Sequence, residues 1–272
     1  MNTSPATPSS TDATPLVKNP WAGFVIDFLI ATGALIVIVI TGMMARGFFR
    51  AIQAGMQSPG ELEPDAIAKV IGEPNDVVIL IVGSLGTGLA AWATYYWRCR
   101  ATSAEKAVSR AAIRQPRTWV ESLGIGLGMM VISSGLSWLL DQAGHQAEPT
   151  NLVMLEQALA FSPWLLILVA VVLAPLSEEL LFRRVLFGRF WAAGRPMTGL
   201  VASSLLFALM HEIPGNTPSP LGITLILLVF YALMGAAFAW IYKRTGTLWA
   251  PILAHATNNL LGCLALIAGY GS

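Results

Sequence analysis

The sequence predicts an all-α fold, a polytopic transmembrane helix bundle with about seven spans and a range of six to eight. Of the 272 residues, 55% are hydrophobic and 11% are charged, whereas soluble domains carry roughly 25% charged residues. Several apolar runs of about 20 residues recur along the chain, and each could cross a bilayer as a helix. These observations exclude an ordinary soluble enzyme. A net charge of +1 leaves no basic excess for binding nucleic acid.

Each predicted element follows from this hydrophobic pattern. Residues 1–20 are rich in Ser, Thr and Pro and predict a disordered tail. The apolar run at residues 21–44 is too long for a signal peptide and predicts an uncleaved first span. Further apolar runs predict spans at residues 77–97, 119–140, 161–190, 198–211, 221–242 and 248–268. We therefore divide the chain into the tail, N-terminal spans at residues 21–150 and a C-terminal transmembrane core at residues 151–272.

The basic residues predict how the spans are oriented. With the N-terminus in the cytoplasm, the segment 98–117 between the second and third spans lies on the cytoplasmic side. That segment contains six Lys and Arg residues, whereas the segments 141–160 and 212–220 on the opposite side contain none. Because cytoplasmic loops carry an excess of Lys and Arg, the pattern predicts a cytoplasmic N-terminus and a C-terminus on the other side.

Three local features predict packing rather than chemistry. Asp27, inside the first span, is expected to be an interfacial acid that either packs or extends to the membrane surface. Pro175 removes a backbone hydrogen bond and favours a kink in the fourth span. The string of Gly124, Gly126 and Gly128 lies within an apolar span without a preceding strand, so it predicts close helix packing and not a nucleotide-binding loop.

The residues that indicate chemistry lie within the C-terminal spans. An ionisable side chain inside a span costs roughly 2.5–3.5 kcal/mol on insertion scales, so a cluster of them indicates function. At a rise of about 1.5 Å per residue, Glu178, His211 and His255 lie about 15–20 Å from the predicted cytoplasmic boundary, so we expect them to meet. The candidates are Glu178, Glu179, Arg183, His211, His255 and Asn259, with Asn258 as a weaker one.

Helical spacing separates the roles of these residues. Glu179 and Arg183 are four residues apart, so we expect an ion pair between them on one helix face. Glu178 points about 100° away and lacks that partner, which favours it as a general base. His255 and Asn259 are also four residues apart, which places two hydrogen-bond donors side by side for an oxyanion. We expect Glu178, both histidines and Asn259 to surround one cavity open toward the cytoplasmic leaflet.

Together, the three motifs resemble the CAAX-protease and bacteriocin-processing (CPBP, or Abi) family of intramembrane endopeptidases. The resemblance covers about residues 160–265, and the patterns occur in the family's order. They are E-E-x-x-x-R at residues 178–183, F-x-x-x-H at residues 207–211 and H-x-x-x-N at residues 255–259.

This resemblance implies hydrolysis of a peptide bond by the C-terminal core. It implies that Glu178 and His211 activate the attacking water, while His255 and Asn259 stabilise the oxyanion. It further implies two supporting residues, Glu179 and Arg183.

The sequence leaves a metal-dependent version of this reaction as an alternative. The family has been described as metalloproteases, and Glu178, His211 and His255 could supply a zinc site of two histidines and a glutamate. The chain lacks an H-E-x-x-H motif, and a glutamate–histidine pair can activate water directly. We therefore favour no cofactor, with zinc as the alternative.

Two other functional classes also place such residues in a membrane. A proton-coupled transporter would favour broken helices in two matching halves, whereas here one half carries the motifs. A non-catalytic scaffold or immunity protein would not need all four site residues. An enzyme is therefore the favoured interpretation.

The expected partners are the lipid bilayer and a membrane-embedded or membrane-anchored peptide or protein substrate. Eukaryotic members of the family that the chain resembles act on prenylated C-terminal CAAX tails. The short polar tail and compact layout of this chain are typical of a bacterial protein. We therefore expect a multi-pass protein of the bacterial inner membrane that acts on a different substrate.

Overall fold

A computed structural model describes residues 19–57, 72, 76–215 and 219–269. Every regular element within these ranges is a helix, which confirms the all-α class. Residues 1–18 of the predicted disordered tail lie outside the described residues. In chain order the helices are α1 (Pro20–Gln57), α2 (Asp76–Arg98), α3 (Ser103–Ala112), α4 (Pro116–Gln142), α5 (Leu152–Phe161), α6 (Pro163–Ala192), α7 (Pro196–His211), α8 (Leu221–Thr245) and α9 (Trp249–Ile267).

Six of these helices are long and apolar enough to cross a membrane, namely α1, α2, α4, α6, α8 and α9. The protein is therefore an integral multi-pass membrane protein. The predicted fifth span is α7, which has 16 residues and extends about 24 Å, less than the hydrocarbon core of about 30 Å. Helix α1 continues to Gln57, beyond its predicted end at residue 44, because residues 45–57 are rich in helix-favouring types and contain no proline.

Helix α6, which carries the first motif, is not a uniform α-helix. Two π-helical segments flank a short α-helical one: Leu168–Leu173, Ala174–Glu179 and Leu180–Phe187 in chain order. The N–H of Ala174 donates to the carbonyl oxygen of Val169, five residues back instead of four. Pro175, which has no N–H to donate, follows directly. The irregularity predicted at Pro175 takes this π-helical form, which is frequent at functional sites.

The main buried cluster holds the C-terminal helices together. Phe182 of α6, Phe207 of α7, Phe238 of α8 and Ala254 of α9 belong to it, and Phe24 of α1 extends it to the N-terminal half. Of the four C-terminal helices in this cluster, α6, α7 and α9 carry candidate residues, and α8 packs beside them. The apolar core therefore positions the three motifs relative to one another.

Helix α4 packs tightly against α9 at Gly126. A Cβ atom at this position would lie 2.5 Å from the carbonyl oxygen of Ala254, so a side chain would force the two helices apart. Gly124 and Gly128 have nothing within 4 Å of the corresponding position. The predicted helix contact therefore rests on Gly126, and it sets the position of the helix turn that carries His255.

A network of ion pairs joins the N-terminal helices to α6. Asp27 of α1 is fully buried and contacts both Arg98 at the end of α2 and Arg189 of α6. Arg184 of α6 binds Glu105 of α3 through two contacts of 2.7 and 2.9 Å. Burial alone would raise the pKa of Glu105, but the hydrogen bond and charge of Arg184 outweigh burial and lower this pKa. The sequence predicts that Asp27 either packs inside the protein or extends to the membrane surface, and in the structure it packs inside.

Candidate active site

Glu179 lies at the centre of a buried polar unit. Its Oε2 atom lies 2.8 Å from Nε of Arg183, at the spacing that predicts this pair. Its Oε1 atom lies 3.0 Å from Nδ1 of His255, which donates a hydrogen bond to it. All three side chains are at most 2% exposed, and buried charges require such partners. The unit therefore fixes α6 against α9, through a contact that the sequence did not predict.

Glu178 points away from this unit and faces His211 of α7. Its Oε2 atom lies 3.4 Å from Nε2 of His211 and has no hydrogen-bond partner among the described residues. Nδ1 of His211 lies 2.8 Å from the carbonyl oxygen of Phe207 and donates to it, which leaves Nε2 as an acceptor in the neutral ring. Two acceptors thus face each other, and a water molecule can donate one hydrogen bond to each of them.

Glu178 and His211 line a cavity of about 340 Å³. Its other walls come from α1, α2, the start of α5 and the connection before α5. None of the lining residues belongs to the basic segment 98–117, so the lining does not support the expected opening toward the cytoplasmic side. The polar lining residues are Thr32, Thr87, Thr150, Asn151, Glu178 and His211.

The two candidates on α9 do not line this cavity. Successive residues of a helix point about 100° apart, so Glu178 faces the cavity while Glu179 faces α9. The ring of Phe207 is a neighbour of both histidines, with its centroid 4.2 Å from that of His211 and 6.1 Å from that of His255. The structure therefore brings two of the four predicted residues to one cavity, whereas the other two contact α6 outside the lining of this cavity.

Asn259 contacts the irregular part of α6. Its Nδ2 atom donates a hydrogen bond of 2.8 Å to the carbonyl oxygen of Ala170, and its Oδ1 atom accepts one of 3.1 Å from Asn258. In the five-residue pattern that Ala174 follows, the next residue would donate to Ala170, but that residue is Pro175 and has no N–H. Asn259 supplies the missing donor, and its second amide hydrogen remains for another acceptor.

The residues present do not fit the zinc site considered from the sequence. Ligands of a catalytic zinc converge on one ion at about 2 Å. Glu178 and His211 face each other at one cavity, but His255 does not line this cavity. Among the described residues, no group of three or more His, Cys, Asp or Glu side chains is arranged to hold a metal ion.

Glu212, which directly follows His211, was not among the predicted candidates. It is fully buried and accepts hydrogen bonds of 2.9 Å from the backbone N–H and 2.7 Å from the hydroxyl of Thr150. Because Thr150 lines the cavity, Glu212 fixes part of the cavity wall beside His211. In the sequence, Glu212 is an acidic residue just after a predicted helix, and acidic residues at such positions are common in exposed turns. It was therefore not identified as a candidate.

Comparison with known proteins identifies the region that contains these residues. Residues 160–261 match the family model described as Rce1-like, type II CAAX prenyl endopeptidase. Over this region the chain is similar to the Rce1-like family. All six candidate residues lie within this Rce1-like region.

Two curated relatives also match the chain. "Putative membrane peptidase YdiL" of Bacillus subtilis (strain 168) is 28% identical over 136 residues, which cover 50% of this chain and 50% of the relative. "UPF0177 protein YxdF" of Lactococcus lactis subsp. lactis (strain IL1403) is 30% identical over 95 residues, which cover 35% of this chain and 46% of the relative. The chain thus spans about half the length of these curated relatives. No solved structure matches it significantly.

Proposed function

We propose that the protein is an intramembrane endopeptidase that hydrolyses a peptide bond of a membrane-embedded or membrane-anchored substrate. The observation that carries this proposal is the pair of Glu178 and His211, with Oε2 and Nε2 3.4 Å apart at the wall of a cavity in a membrane-spanning bundle. The Rce1-like region and the printed name of the B. subtilis relative support a peptidase.

In this proposal the pair activates one water molecule. A water that donates one hydrogen bond to Nε2 of His211 and one to the Glu178 carboxylate directs its oxygen at the substrate carbonyl carbon. As the new C–O bond forms, Glu178 accepts a proton from the water and the carbonyl oxygen becomes an oxyanion. Collapse of this intermediate breaks the C–N bond, and the proton passes from Glu178 to the leaving nitrogen. The products are a carboxylic acid and an amine.

We assign stabilisation of the oxyanion to His255 and Asn259. Asn259 has a second amide hydrogen beyond the one that it donates to Ala170. His255 uses Nδ1 toward Glu179, so Nε2 is the atom that would donate to the oxyanion when the ring carries both protons. Both histidine rings neighbour Phe207, and this shared neighbour supports a role of both pairs in one reaction.

The proposal is tested by cleavage of fluorogenic peptides with the purified protein in detergent. Glu178→Gln retains the shape of the side chain and removes the base, so we expect cleavage to fall by at least about 10²-fold without a change in thermal unfolding. The matched control is Glu156→Gln, because Glu156 is an exposed glutamate of α5; this variant should retain full activity. Cleavage that persists in Glu178→Gln would contradict the assignment of the base.

We also propose that the protein resides in the bacterial inner membrane with a cytoplasmic N-terminus. The support is the contrast between the segment 98–117, with six basic residues, and the segment 141–160, with none. These segments lie at opposite ends of α4, and basic residues favour the cytoplasmic side.

A further inference from the structure

The cavity beside Glu178 and His211 is formed largely by residues that precede the Rce1-like region. Nine of its fourteen lining residues lie before residue 160. They belong to α1, α2, the start of α5 and the connection before α5. The catalytic motifs thus supply one side of the cavity, and helices without a motif supply the other.

The side formed by α1 and α2 carries no charge. Its six members are Phe28, Ala31, Thr32, Leu35, Thr87 and Ala90. No Lys or Arg occurs among the fourteen lining residues, so the cavity offers no cation for a substrate carboxylate. Against the side formed by α1 and α2, a charged substrate side chain would lose its hydration without gaining an ionic partner, because the ionisable lining residues Glu178 and His211 belong to the other side. The lining therefore favours an uncharged, apolar substrate segment.

Two alanines on α1 and α2 determine how much of the cavity a substrate side chain can fill. Ala31 of α1 is 3% exposed and Ala90 of α2 is 2% exposed, so both methyl groups lie inside the protein and not at the lipid surface. Both line the cavity together with Glu178 and His211. A larger side chain at either position would occupy volume that a substrate side chain could otherwise fill.

We propose that Ala31, Thr32, Thr87 and Ala90 form a specificity wall that admits an uncharged apolar substrate side chain and excludes a charged one. This inference rests on the proposed proteolytic function, and it names the substrate class as an apolar peptide segment. It gives α1 and α2 a role in selecting the substrate, although they contribute no residue to the proposed chemistry.

Binding to the wall can be measured without cleavage by the rate of thiol labelling. In a background with Cys99→Ser and Cys263→Ala, Thr32→Cys places a thiol on the wall. Gly33→Cys is the matched control, because Gly33 is exposed and a Cβ there has nothing within 4 Å. A short Ala/Leu peptide should slow labelling of Thr32→Cys several-fold and leave Gly33→Cys unchanged.

The same peptide with a central Lys should give little protection of Thr32→Cys. Equal protection by both peptides, or protection by neither, would overturn the specificity wall. This result does not depend on turnover, so it remains decisive even if the protein cleaves no peptide and the proposed function itself fails.

Cleavage provides a second test through the size of the wall residues. We compare the kcat/KM for a peptide with a large apolar residue with the kcat/KM for the same peptide with Ala. Ala90→Leu should lower the ratio of the first value to the second by about 10-fold or more. Ala93→Leu, on the exposed face of the same helix, should leave the ratio unchanged. If Ala90→Leu does not fold, Ala90→Val makes the smaller change in the same direction. An unchanged ratio in a folded Ala90 variant would contradict the proposal.

Discussion

At the scale of single residues, the adjacent Glu178 and Glu179 have different surroundings, and substitutions should separate their roles. Arg183→Met leaves the buried Glu179 carboxylate without its cation, and loss of one partner of a buried pair costs about 3–5 kcal/mol. We expect a lower midpoint of thermal unfolding in detergent. Arg183→Met combined with Glu179→Gln removes both charges and should recover much of the loss. A single Arg183→Met variant with normal stability and activity would show that the pair has no supporting role.

Asn259 combines a structural contact with a proposed part in catalysis, and two readouts distinguish them. Asn259→Ala leaves the carbonyl of Ala170 without its donor, which costs about 1–3 kcal/mol of stability. If the second amide hydrogen binds the oxyanion, kcat should also fall about 10²–10³-fold with little change in KM. Leu260→Ala, at an exposed position of the same helix, is the control and should leave kcat unchanged. A variant with reduced stability but normal kcat would restrict Asn259 to its contact with α6.

The proposed water activation uses two side chains, so hydrolysis should survive chelation. We expect equal turnover before and after treatment with EDTA or phenanthroline, with the metal content measured on the same preparation. Stoichiometric zinc whose removal stops cleavage, and whose return restores it, would establish the metal-dependent alternative. That result would leave the assignment as an intramembrane protease unchanged.

At the scale of elements, the contact of α4 with α9 predicts a strong dependence on one glycine. Gly126→Ala places a methyl group 2.5 Å from the carbonyl oxygen of Ala254, so α9 must shift together with His255. We expect reduced thermal stability and reduced turnover. Gly124→Ala adds the same group where nothing lies within 4 Å, and it should be neutral or stabilising because Ala favours helix more than Gly does. Similar effects of the two substitutions would contradict the role of this contact.

Helix α6 shows which contacts can be predicted from local sequence patterns and which cannot. The ion pair of Glu179 with Arg183 follows from their spacing on one helix, and Pro175 signals the irregularity. The contacts of His255 with Glu179 and of Asn259 with Ala170 join residues 76 and 89 positions apart. Such contacts depend on how α6 and α9 pack, and no spacing rule within one helix encodes that packing.

At the scale of the whole molecule, the proposed orientation can be tested with two matched cysteines. Gln115→Cys and Gln146→Cys both replace exposed glutamines, one at the basic end of α4 and the other beyond its opposite end. In a background without Cys99 and Cys263, a membrane-impermeant thiol reagent should label Gln146→Cys in intact cells. Gln115→Cys should react after permeabilisation. The opposite pattern would reverse the proposed topology.

The spans were predictable from the sequence because apolar runs of about 20 residues have few alternatives. The cavity wall formed by α1 and α2 was not, because Ala31 and Ala90 belong to helices that also carry many apolar residues on the exposed surface. The sequence alone does not distinguish an alanine that lines a cavity from one that faces acyl chains. Glu178 and His211 could be identified because an ionisable residue in a span is rare, whereas the residues opposite them are of types common throughout a membrane helix.

The buried carboxylate of Asp27 also has a consequence for the order in which the protein is made. Because α1 precedes α2 and α6 along the chain, Asp27 is synthesised before Arg98 and long before Arg189, its two partners in the finished molecule. Until α6 has been translated, the nascent chain therefore carries a carboxylate without its full set of counter-charges. The very apolar sequence of α1 favours insertion during that interval. The complete ion-pair network around Asp27 therefore forms only after α6 has been synthesised.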